Sequence, residues 1–231
     1  MNILALIPAR GGSKGIPRKN LQKIGEKSLI QHAVDVAKDS KKINRIIVSS
    51  DDDEILNEAK SVGADIPFKR PAEFASDTAD DYSVIKHAID WLEENENWKA
   101  DYLVFLRPTN PFRRGSDIDD MIEKLEMSDN HAIRSLAPAP YPPFWMKKVN
   151  DDTGLLEPLM GEELSEARRQ DLPPVFIGDG KIEVVKVKAI KETKSRFGKL
   201  IMGYPLEDSP LVDIDTLADL EYANFVFKNM K

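Results

Sequence analysis

The sequence predicts an α/β domain in which a mainly parallel sheet is covered by helices on both faces. Three observations point there. Short β-rich apolar runs recur at residues 3–7, 45–48 and 102–106, each too short for a helix and bounded by turn residues. Amphipathic segments of helical length separate these runs, and strands alternating with helices form βαβ crossovers. A length of 231 residues suits one such domain with an appendage.

Taken in order, residues 3–7 read as a buried strand that enters a glycine-rich segment. Ser28 opens a helix over 29–38. The run 45–48 is the next strand, and Ser50, with Asp53 three residues on, opens a helix over 55–62. Thr78 with Asp81 opens another over 82–95, and the strand at 102–106 follows. Ser116 with Asp119 and Thr216 with Asp219 repeat the capping-box spacing before two more helices, the last running to the C-terminus. Residues 138–174 break this rhythm: Pro138, Pro140, Pro142 and Pro143, a turn at 151–154 and a charged stretch at 162–169 read as an insertion within a single domain spanning 1–231. Tyr141, Phe144, Trp145 and Met146 are too apolar for an idle loop, so substrate or subunit contact is expected there.

Composition excludes several classes. Forty acidic and 33 basic residues leave a net charge of −7, with 41% hydrophobic and 32% charged residues, the profile of a soluble globular chain. The absence of cysteine removes disulfides, thiolate metal sites and a cysteine nucleophile. His32, His87 and His131 lie far apart in sequence, which argues against a histidine-rich metal cluster. Residues 3–7 are too short for a signal-peptide core, and no run approaches the roughly 18 apolar residues of a membrane span, so a cytoplasmic protein without a membrane partner is expected. An acidic chain has no overall field to collect polyanions. No nucleic-acid partner is expected, and any phosphate must be held by a local basic site.

Residues 8–20, PARGGSKGIPRKN, supply such a site. Three glycines and four cations fall within eleven residues directly beyond the C-terminal end of the first strand, where open α/β sheets bind ligands. Glycines let the backbone approach a phosphate, and Arg10, Lys14 and Lys19 can neutralise it. Neither familiar phosphate motif is present: Gly11 and Gly12 are adjacent, which breaks G-x-G-x-x-G, and Gly15 is followed by Ile16, not by the lysine of a P-loop. The alternative is a solvated turn with decorative cations. Near the other end, Asp213 and Asp215 alternate with Val212 and Ile214. On a strand both carboxylates would share one face and could converge on one cation, a normal Mg²⁺ arrangement; a helix-terminal role beside Thr216 is the alternative.

The segment LIPARGGSKGIPRKN resembles the nucleotide-binding signature of sugar nucleotidyltransferases, and most closely that of the acylneuraminate cytidylyltransferases, or CMP-sialic acid synthetases. Four further segments follow in that family's order: RIIVSSD at 45–51, RPAEFASDT at 70–78, LRPTNPFR at 106–113 and RRQDLP at 168–173, with the Asp-Ile-Asp of 213–215 last. The resemblance implies a Rossmann-like nucleotidyltransferase fold whose small projecting region, 138–174, mediates dimerisation, and a homodimer. It implies that Arg10, Gly12, Ser13 and Lys19 contact CTP, with Lys19 near the α-phosphate, that Asn20 holds ribose or base, and that Arg70 reads cytosine. It implies acceptor-sugar contacts from Thr109, Arg169 and Gln170, and a Mg²⁺ ion held by Asp213 and Asp215. RIIVSSD is the weakest segment, since a strand ending in Ser-Ser-Asp also reads as a helix cap.

The chain departs from the family in places. Asp81 stands where small hydroxyl residues are usual; it reads either as the helix partner of Thr78 or as a carboxylate beside the base. Arg107 replaces a sugar-contacting glutamine and suits a carboxylate or a different substituent on the sugar. Asp179 and Glu183 replace an asparagine and a tyrosine on the sugar side.

The resulting expectation is transfer of CMP from CTP to the anomeric hydroxyl of a sialic-acid-like nonulosonic acid, with release of pyrophosphate. Lys19, Arg10 and Asp215 carry the catalysis through positioning and charge. A carboxylate or a metal-bound hydroxide takes the hydroxyl proton. The alternatives are the same transfer to 3-deoxy-octulosonate, legionaminic or pseudaminic acid or a sugar phosphate, a catalytically silent nucleotide-binding domain and, on fold grounds alone, a dinucleotide-dependent oxidoreductase.

Overall fold

The structure is a computed structural model that describes residues 1–206 and 209–230. The chain runs β1 (Ile3–Pro8), β2 (Lys23–Ile24), β3 (Lys27–Ser28), α1 (Leu29–Asp39), β4 (Arg45–Ser49), α2 (Asp53–Ser61), α3 (Asp81–Glu96), β5 (Tyr102–Phe105) and α4 (Gly115–Glu126). It continues through β6 (Ala132–Pro138), β7 (Lys147–Val149), β8 (Leu156–Pro158), β9 (Phe176–Lys186), α5 (Val187–Thr193), β10 (Ile201–Pro205) and α6 (Leu217–Asn229). Six strands form the central sheet in the order β10-β6-β9-β5-β1-β4. Pairings β1–β4, β1–β5 and β10–β6 are parallel, whereas β9 runs antiparallel to both neighbours.

Alternation along each strand divides the core in two. Ile3, Ala5 and Ile7 pack with Val48, Val104 and Val184 against α1, α2 and α4, through residues such as Val34, Ile55 and Met121. Leu4 and Leu6 face the other way, joining Leu103, Phe105 and Val185 beneath α3 and α5, through Ile85, Ile89 and Ile190. The mainly parallel sheet with helices on both faces is therefore present. A third, smaller cluster holds the candidate site together: Ile16 of the glycine-rich loop packs with Ile24, Leu29, Phe112, Val212, Ile214 and Ala223.

Several local expectations need correction. Ser28 caps α1 and Thr216 caps α6 in a full capping box with Asp219. The cap of α2, however, is Asp52 and not Ser50, and the cap of α3 is Asp80 and not Thr78. In both cases a carboxylate nearer the first turn takes the exposed N–H groups. Helix α4 has no side-chain cap: Asp119 reaches across to Ser40 and the Lys41 N–H instead. Residues 212–215 are extended but belong to no strand. Within the 138–174 insertion, β7 and β8 form a separate hairpin.

Candidate active site

The C-terminal ends of β1 and β5 open into a cleft of about 530 Å³. One wall is the glycine-rich loop, contributing Arg10, Ser13, Lys14, Gly15, Lys19 and Asn20; the other includes Arg70, Asp81, Arg107 and Thr109, and Asp215 closes one side.

The loop is tied down from below by the motif that ends β4. Asp51 accepts from the Gly11 N–H at 3.0 Å, and Ser49 O accepts from the Ala9 N–H at 2.9 Å. RIIVSSD thus serves as a structural brace. Arg18, in the left-handed region at φ 54°, turns away and pairs with Asp52 and Glu54. Gly15 marks a close approach: a Cβ there would stand 2.1 Å from the Asp215 carbonyl oxygen. Gly12 is exposed, lies outside the cleft lining, and would meet nothing if given a side chain. Asn20 is buried and donates to Arg10 O at 3.0 Å, which fixes the loop's curvature.

Three cations of the glycine-rich loop are paired with carboxylates in the cleft. Lys19 Nζ lies 2.7 Å from Asp215 Oδ1. Arg10 and Lys14 each contact a different oxygen of Asp77, at 2.9 and 2.7 Å, and this pairing holds the Asp77 carboxyl below its usual range, chiefly through the hydrogen bond from Lys14. Asp77 escaped the sequence reading although it lies inside RPAEFASDT, because its partners are more than sixty residues away along the chain.

On the opposite wall, Arg70 is buried and donates from Nε to Ser49 Oγ at 3.0 Å, from Nη2 to Ser49 O, and from Nη1 to Phe74 O at 3.2 Å. Burial draws its pKa down to about 10, which leaves it cationic at neutral pH. Asp81 is no partner of Thr78. It is the first residue of α3, and its carboxylate holds Arg107 at 2.6 Å and also bonds Arg196. Glu183 on β9, almost fully buried, receives Arg107 at 3.4 Å, Arg134 at 3.2 Å and Arg196. Three guanidiniums therefore surround two carboxylates, and they stack on Phe105 and Phe197 with Arg196 over both rings. Nothing in the sequence around Arg134 or Arg196 announces this role.

Other acceptor-side expectations are redirected. Asp179 is buried, receives the Ser135 hydroxyl and the Lys181 N–H, and so repairs the irregularity in the β6–β9 ladder. Asp179 and Glu183 lie outside the cleft lining. Arg169 faces a different hollow, with Pro138, Pro142, Leu172 and Phe176, and donates to Pro140 O and Ala139 O at 3.2 and 3.3 Å. Gln170 beside it is exposed. A single chain does not bring these two residues to Arg107.

Asp213 and Asp215 share one side of their segment, both exposed, while Val212 and Ile214 are buried on the other. The Ile214 N–H donates to Thr109 O at 3.0 Å, and Asn110 Nδ2 to Asp213 Oδ1 at 3.2 Å, which ties the pair to the end of β5. Among the described residues no three-ligand metal cluster exists. Two hard carboxylates beside an anion site nonetheless fit Mg²⁺, which keeps waters and takes phosphate oxygens to complete its shell.

The sequence model of the cytidylyltransferase family matches residues 4–157. The chain belongs to this family. A CMP-N,N'-diacetyllegionaminic acid synthase of Legionella pneumophila is 32% identical over 222 residues, covering 95% of this chain and 93% of that relative. A pseudaminic acid cytidylyltransferase of Campylobacter jejuni is 30% identical, covering 99% and 97%. Among solved structures, a CMP:2-keto-3-deoxy-manno-octonic acid synthetase complexed with CTP superposes with a TM-score of 0.71 at 17% identity, over 99% of each chain, a likeness of fold. The family's fold and nucleotidyl-transfer activity thus extend to this chain, and the segments quoted from its sequence, RRQDLP apart, occupy the cleft wall and its supports.

Proposed function

We propose that this cytidylyltransferase transfers CMP from CTP to the anomeric hydroxyl of a nonulosonic acid and releases pyrophosphate. The observation that carries the reading is the single cleft that sets Arg10, Ser13, Lys14 and Lys19 against Arg70 and Arg107 at the strand ends. The names of the two relatives support an acceptor of the legionaminic or pseudaminic type.

In this reading Arg10, Ser13 and Lys14 hold the polyphosphate, Lys19 neutralises the α-phosphate, and Asn20 and Arg70 hold the nucleoside, Arg70 as a rigid, buried donor. Arg107, fixed by Asp81 and Glu183, receives the acceptor's carboxylate. The anomeric hydroxyl gives its proton to a carboxylate, and its oxygen attacks the α-phosphorus as the bond to the bridging oxygen of pyrophosphate breaks. Asp213 and Asp215 would hold Mg²⁺, which supplies neutralisation of the charge moving onto pyrophosphate. A homodimer fits the exposed Val149, Leu155, Leu156, Leu159 and Met160 on and beside the β7–β8 hairpin, apolar side chains that a second copy would cover. A cytoplasmic setting, where CTP is made, goes with this reading.

Pyrophosphate release is the test, assayed with CTP and a panel of keto-sugar acids. Release with at least one nonulosonic acid is expected, and CTP binding without release for any acceptor would refute the enzyme reading.

A further inference from the structure

The phosphate wall of the cleft carries its own anion. Arg10 Nη1 and Lys14 Nζ lie 2.9 and 2.7 Å from the two oxygens of Asp77, so one carboxylate spans both cations as a phosphate group would. Arg10 Nη1 also donates to Ser76 O at 3.1 Å. Asp77 is about half exposed and stands on the irregular stretch between the turn at Ala72–Phe74 and α3. The two ends of that stretch are anchored: Arg70 holds Ser49 and Phe74, Phe74 packs on His87 with ring centroids 5.1 Å apart, and Asp80 caps α3. The carboxylate can therefore leave its cations without disturbing the base side.

We infer that Asp77 is a built-in competing anion of the polyphosphate subsite and sets which anions enter it. The inference rests on the proposed nucleotide reading. A carboxylate brings one charge, shared between two partly exposed cations, and such pairs are individually weak. A triphosphate brings several charges and displaces it readily. Inorganic phosphate gains little over the resident carboxylate and is kept out, and returning Asp77 lowers the affinity for departing pyrophosphate. A monophosphate held at Lys19 does not compete with Asp77 at all.

The test is calorimetric titration of the full chain with pyrophosphate, inorganic phosphate and CMP, comparing wild type with Asp77→Asn and Asp77→Glu. Asp77→Asn is expected to tighten pyrophosphate and inorganic phosphate on the order of ten-fold and to leave CMP unchanged. Asp77→Glu, which keeps the charge, should hold pyrophosphate as weakly as wild type. Unchanged or weaker pyrophosphate binding in Asp77→Asn, equal tightening of CMP, or no pyrophosphate binding by either protein overturns the inference. None of these titrations needs CTP or an acceptor. A ten-fold gain would therefore uphold this inference even if the separate absence of pyrophosphate release refuted the enzymatic reading.

Discussion

Glu183 shows how much one residue can organise. Its buried carboxylate meets three guanidiniums, and with Asp81 it offsets two of their three charges. Glu183→Gln removes the buried negative charge, leaves half-buried Arg134 without its carboxylate and leaves Arg107 and Arg196 to share Asp81, so a loss of about 1–3 kcal/mol in urea unfolding is expected, with CTP binding still measurable in the folded fraction. At Asp213 and Asp215 a different outcome is expected: changing both to Asn at fixed Mg²⁺ abolishes pyrophosphate release while circular dichroism stays that of the wild type. The cations of the glycine-rich loop were legible because they are neighbours in sequence. The partners of Asp81 were not: Arg196 is 115 residues away, and no local pattern encodes an ion pair across that distance.

Among the elements, the extended segment before α6 matters most to the site. Ile214 is fully buried in the small cluster that also holds Ile16, so it fixes Asp215 against the glycine-rich loop. Ile214→Ala should cost about 2–5 kcal/mol in thermal or urea unfolding and lower turnover beyond what the unfolded fraction explains. His32 of α1 is a second link, bonded to Ile24 O at 3.0 Å and set edge-on to Phe227 of α6. Burial lowers its pKa from 6.5, so below that value the unfolded chain takes up the proton before the folded one does. The stability His32 lends is therefore present above pH 6.5 and is lost as the pH falls through its folded value. A His32→Gln variant should show a flatter loss of unfolding free energy between pH 7 and 5. The strands at 3–7, 45–48 and 102–106 and the caps at Ser28 and Thr216 were readable from pattern. The caps of α2 and α3 were misread because two polar residues stood close enough to compete for the same N–H groups. The antiparallel course of β9 was unreadable, since a buried strand's apolar run carries no sign of its direction.

For the whole molecule, the net charge of −7 says little about the cleft, because cations are gathered at the strand ends and those of the glycine-rich loop are only partly offset by Asp77 and Asp215. The exposed apolar face of the β7–β8 hairpin is the feature that reaches beyond one chain. Leu156→Asp is expected to shift sedimentation from dimer to monomer with CTP affinity unchanged; a wild type that sediments as a monomer would refute the dimer. The sequence marked 138–174 as a projection, but not how it is attached. Pro138 and Phe176 are direct cross-strand partners, and the Ala139 N–H donates to Val175 O at 2.9 Å, so the excursion leaves and re-enters the sheet at one point. Its length is thereby uncoupled from the register of β6 and β9. Residues can be gained, lost or exchanged beyond that junction at a closure cost that grows only slowly with loop length. The surface it carries can then diverge while the central sheet keeps its shape.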